Sequence, residues 1–186
     1  MVKYRKISLL SKRLCYHILL IALILLLYAC PFSSPYKLDQ EAAVAVDDIL
    51  LGKWATMIMN KNGNPQPVKM ILSKKNDTEY NINFTGDLND LEPYKVVRDD
   101  SIKGTAYMSV VADRQFLNIE IKGQTYISAL IYKNDTLSLM ALADGFTAKY
   151  MKSDAELRKA LEVHVKTWLT PRFDEQFCLK DMVRVN

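Results

Sequence analysis

IKGTAYMSVVADRQFLNIEIKGQTYISALIYKNDTLSLMALA, residues 102–143, decides the fold. In FLNIEI, Leu117, Ile119 and Ile121 alternate with Phe116, Asn118 and Glu120. Period two puts the sets on opposite faces, the mark of a β-strand. Asp113 with Arg114, and Asn134 with Asp135, read as tight turns. Turns this short join strands as antiparallel hairpins, so the stretch reads as four consecutive strands of a meander.

The pattern extends in both directions. Upstream, LLGKWATMIMN (Leu50 to Asn60) and VKMILSK (Val68 to Lys74) flank the turn cluster KNGNPQP, and Asn76–Asp77 turns the chain into TEYNINFTG. There Tyr80, Ile82 and Phe84 alternate with Glu79, Asn81 and Asn83. The polar DLNDLEPYKVVRDDS (Asp87 to Ser101) reads as a connection with a short strand around Lys95 to Val97, and FTAKYMK, after Asp144–Gly145, as the last strand of the series. The expectation is a mainly β fold, an antiparallel meander of eight or nine strands closing into a barrel.

The period then changes. Ser153 and Glu156 fit a capping box, and Leu157, Leu161, Val165 and Trp168 recur at helical spacing until Pro171. One C-terminal amphipathic α-helix, Asp154 to Leu169, is expected to lay its apolar stripe on the sheet. The terminal FDEQFCLKDMVRV is expected to add a short closing strand.

The first 29 residues are of another kind. Lys3, Arg5, Lys6, Lys12 and Arg13 precede the aliphatic run Ile18 to Ala29, and no acid occurs before Asp39. Twelve helical residues cover about 18 Å against a bilayer core of about 30 Å, which suits a cleaved signal peptide; an uncleaved anchor is the alternative. Leu27-Tyr28-Ala29-Cys30 resembles the bacterial lipobox. That resemblance implies cleavage before Cys30 and acylation of its thiol, so membrane lipid is the first expected partner. Residues 30–48, Pro- and Ser-rich and then acidic, read as a flexible tether, and 49–186 as one barrel domain.

Cleavage removes five cations and leaves 20 Lys and Arg against 21 Asp and Glu, a net of −1 over 157 residues. The basicity of the whole chain therefore belongs to its leader, and no basic patch points to nucleic acid. Only Cys178 then remains as a thiol, expected to be a small buried apolar residue; one cysteine forms no internal disulfide.

Gly52-x-Trp54, opening the first strand behind an acidic linker, resembles the G-x-W signature of lipocalins and related calycin barrels. The resemblance implies that Trp54 closes the base of an up-and-down barrel beneath a basic residue of the last strand, a part assigned to Lys149. The whole arrangement is similar to small lipocalin-like lipoproteins of the Bacteroidetes type. That resemblance implies an envelope location, outer membrane, with the periplasmic face favoured because the first acid behind Cys30 is Asp39. It also implies O-glycosylation at Ser101 and Thr136, in Asp100-Ser101-Ile102 and Asp135-Thr136-Leu137, against ordinary turn chemistry as the alternative.

Chemistry-bearing residues are sparse. His164 is the one histidine behind the leader, no G-x-S-x-G elbow or phosphate-binding glycine pattern occurs, and the acid pairs Asp47–Asp48, Asp99–Asp100 and Asp174–Glu175 read as solvated loops. No metal, no cofactor and no enzyme are expected; a hydrolase built on His164 or an acid pair is the alternative. The expected function is a binding module for an apolar or amphiphilic ligand, with Tyr80, Phe84, Tyr107, Phe116 and Tyr126 as candidate lining. Opposed to it stands an envelope interaction or immunity-type lipoprotein whose barrel is filled by its own side chains.

Overall fold

A computed structural model describes residues 33–59, 63–86, 101–143, 146–147, 151–167, 173–174 and 177–185. The elements in chain order are β1 (Ser33–Ser34), β2 (Gly52–Met59), β3 (Pro65–Lys74), β4 (Glu79–Gly86), β5 (Ser101–Val111), β6 (Arg114–Ile121), β7 (Gln124–Lys133), β8 (Thr136–Ala141), α1 (Asp154–Lys166) and β9 (Leu179–Val185). Strands β2 to β8 pair antiparallel in sequence order, and β9 inserts between β8 and β2, so eight strands close a barrel. The expected meander and closure are present, with one α-helix among the described residues. Closure gives each of these eight strands a neighbour on both sides, and where β7 outruns β8, β1 pairs with Thr125 and Tyr126.

Local chemistry explains the hairpins. Ala112–Asp113, Lys122–Gly123 and Asn134–Asp135 each have two consecutive positive φ values, from 47° to 77°. Two left-handed residues make the type I′ turn whose twist matches a hairpin. The turn read as Asp113–Arg114 is thus Ala112–Asp113, one residue earlier, and Arg114 is already in β6. Midway along β5, a Cβ on Gly104 would fall 2.3 Å from the Glu120 carbonyl oxygen; only glycine lets β5 approach β6 so closely.

Two apolar cores result. Inward side chains of the ring, among them Trp54, Met70, Leu72, Leu117, Leu137 and Met182, fill the barrel. Outside the β5–β8 wall, Phe116, Ile127 and Leu142 pack with Leu157 and Leu161 of α1 and with Leu38. Ser153 caps α1 by accepting the Glu156 N–H at 3.2 Å, while the Glu156 carboxylate accepts from the Lys152 N–H at 3.0 Å, one residue before the expected partner.

Three expectations change. FTAKYMK supplies no strand in its described residues, Phe146–Thr147 and Met151–Lys152, and the ring is completed instead by the C-terminal β9. The helix ends at Lys166; Trp168, Leu169 and Pro171 lie outside the described residues, as do the Lys95–Val97 strand and the 1–29 leader. In the segment expected as a free tether, the described part is strapped to the barrel. Leu38 is buried, its N–H donates to Asn118 Oδ1 at 2.9 Å, and the Tyr107 hydroxyl donates to the Asp39 carbonyl at 2.5 Å. Arg158 of α1 pairs with Asp39 at 2.5 Å and donates to the Val110 carbonyl at 2.6 Å. An apolar anchor with this many long-range bonds is no spacer.

Candidate functional site: a sealed base and an apolar mouth

The two barrel ends differ in kind. At the end where β2 begins, Asp47 caps a single 3₁₀ turn, Asp48–Leu50, its carboxylate accepting from the Ile49 N–H at 3.0 Å. The Tyr80 hydroxyl accepts from the Asp47 N–H at 2.8 Å, and Val46 N–H donates to the Asp77 carbonyl at 2.8 Å. The turn is thereby seated across the ring, with Leu50 in the core beside Trp54.

Arg184 of β9 locks it there. Its guanidinium lies 4.5 Å from the centroid of the Trp54 ring and donates to the carbonyls of Leu51 and Ile49, while Trp54 Nε1 donates to the Leu50 carbonyl at 2.9 Å. Three consecutive carbonyls are so satisfied by one arginine and one indole. Gly52, at φ +129°, makes the fit possible: a Cβ there would meet the guanidinium at 2.7 Å. The cation over Trp54 is therefore Arg184. Lys149, to which that part was assigned, lies outside the described residues.

The opposite end is formed by the end of β2, the start of β3, the end of β4, the start of β5, the β6–β7 turn, the end of β8 and the start of β9. Here the inward-facing Ile58, Phe84, Ile102, Ile121 and Tyr126 pack against the barrel core yet stay half-buried. Of the candidate lining residues, the geometry brings Phe84 and Tyr126 to this mouth. Tyr80 points inward but is buried at the sealed base. Tyr107 and Phe116 face outward, the first bonded to the strap and the second inside the outer core, because the odd positions of β5 and even positions of β6 share the outer phase. Burial pushes the Tyr107 hydroxyl well above the ordinary phenol range, with the Asp39 charge acting the same way.

No family model, curated protein or solved structure matches this chain. Ile58, Ile102 and Ile121 are aliphatic and lie outside the expected aromatic lining; their signal is position, Ile58 and Ile121 near the ends of β2 and β6 and Ile102 at the start of β5.

The remaining candidates are scattered. The His164 ring meets Phe146 edge-on at 5.7 Å between centroids, and the Asp47–Asp48 pair belongs to the sealed base. Cys178 is buried, its thiol donating to the Asp174 carbonyl at 3.1 Å. Thr136 opens β8 with its hydroxyl donating to the Lys133 carbonyl at 2.7 Å, and Ser101, half-buried, opens β5 at the other end. Cys30, Asp99–Asp100 and Glu175 lie outside the described residues.

Proposed function

We propose that this chain is a lipid-anchored bacterial envelope lipoprotein whose lipocalin-like barrel holds an apolar or amphiphilic ligand at its mouth. One observation carries the ligand reading: five inward apolar side chains are left partly exposed at the end opposite the Trp54–Arg184 seal. Apolar surface facing into a concavity is released from water only by a ligand or partner, at about 25 cal/mol for each Å² covered. The lipobox at Cys30 and the G-x-W closure support the anchor and the kinship.

A second reading has an observation of its own. On the outer wall of β2, Met57 and Met59 are 59% and 71% exposed, with the outward Lys69 of β3 diagonal to Met57. Such a surface favours an envelope protein partner.

Native mass spectrometry of the full chain, extracted gently from membranes, tests the first reading. The expected spectrum shows diacylglyceryl mass at Cys30 and a second, non-covalent apolar molecule in stoichiometric amount. A lipidated chain with no bound small molecule would contradict the ligand reading and leave the anchor standing.

A further inference from the structure

The outer wall of the barrel differs from one side to the other. On the β5–β8 side Phe116, Ile127 and Leu142 lie beneath α1 and the Leu38 strap, so their apolar surface is already out of water. On the β9–β2 side the outward Met57, Met59 and Val183 stay more than half exposed. Val183 is the direct neighbour of Ala55, and Met57 is the next outward residue after Ala55, so the three side chains form one strip across two strands. The same wall is short of acids. Strands β2, β3, β7, β8 and β9 hold one acid between them, Asp181, against the exposed Lys53, Lys69, Lys133 and Lys180. Exposed apolar side chains among lysines are the chemistry that an anionic lipid interface takes up.

The strap supplies a second, independent observation. Ser33 pairs with Tyr126 of β7, and Ser34 with Thr125. Three residues lead from Cys30 to Ser33 and, fully extended, span at most about 11 Å. In the ring β9 stands two strands from β7, about 10 Å along the wall, and β2 is the next strand. A lipid on Cys30 therefore holds a bilayer surface close to the bare wall, and the methionine strip has a nearer occupant than a protein partner.

From the short reach of the anchor and the chemistry of this wall we infer that the barrel lies against the anionic lipid surface around its own anchor, with Met57, Met59 and Val183 in the interface and Lys53 and Lys69 over the headgroups. The inference rests on acylation at Cys30 and is independent of ligand binding.

The test places the full-length lipidated protein in nanodiscs of phosphatidylglycerol and phosphatidylcholine, a fraction of whose headgroups carry chelated gadolinium, and reads the relaxation of methionine and valine methyls. Val163, half-exposed on α1, is the control on the covered wall. The relaxation enhancement at Met57, Met59 and Val183 is expected to exceed that at Val163 about tenfold, and Lys69→Gln to lower the excess about fivefold, the factor one lysine contributes near an anionic surface. An unchanged excess in Lys69→Gln overturns the part given to charge. Equal enhancement on both walls, in a protein that stays on the nanodisc, overturns the inference, leaves the anchor standing and returns the strip to a protein partner. A protein that does not attach to the nanodisc overturns the anchor and this inference together.

Discussion

Arg184 joins β9, the Trp54 ring and the 3₁₀ turn through one planar group. Its fork donates to two carbonyls while its face lies on the indole, a geometry an ammonium cannot copy. Arg184→Ala is expected to cost about 2–3 kcal/mol in denaturant unfolding, from the stacking and the two charge-assisted bonds together. Arg184→Lys should recover less than half of that; full recovery would mean that charge alone matters. Tyr107 sets a second expectation. Its folded-state pKa is raised, so the folded chain keeps a proton that the unfolded chain releases above about pH 10. Its contribution is therefore complete below that pH and lost as pH rises further. At pH 8 Tyr107→Phe should be less stable than the parent by about 1 kcal/mol, for the lost bond to Asp39. Unfolding curves at pH 8 and pH 11 should show that gap closing; a constant gap would contradict it.

The strap from Ser33 to Asp39 is the element that composition hid. Pro and Ser beside acids read as a spacer, yet one leucine and a few backbone bonds to Asn118, Tyr107 and Asp154 fix it to the wall. Leu38→Ala is expected to cost about 2–4 kcal/mol of barrel stability by thermal or urea unfolding, as for a buried leucine elsewhere. A loose tether would cost nothing. The same covering explains which strands were legible. FLNIEI alternates cleanly, and Leu117, Ile119 and Ile121 do face inward. In AYMSVV and SALIY both phases are apolar, and alternation there cannot tell inside from outside; the outward Val111 and Ala129 lie in the outer core with α1 and the strap, while the outward Ile131 is exposed. That is why Tyr107 stands among the candidate lining residues; Phe116, on the face opposite Leu117, Ile119 and Ile121 in FLNIEI, is apolar because it belongs to the outer core. The partner of Trp54 was illegible for another reason: β9 reaches it across a contact separated by about 130 residues, and spacing along a chain carries no trace of ring closure.

Across the whole molecule, the barrel is sealed at one end and apolar at the other, and the central claim is that the apolar end is where a ligand enters. The outer-wall methionines offer the rival surface, and both lie near the same rim. A carboxylate placed at each separates them. Occupancy by the co-purifying molecule, read by native mass spectrometry, should fall at least tenfold in Phe84→Asp, which puts an unpaired charge into the mouth, and stay at the parent level in Met57→Asp on the outer wall. Full occupancy in Phe84→Asp, or its loss in Met57→Asp instead, would contradict ligand entry through the mouth.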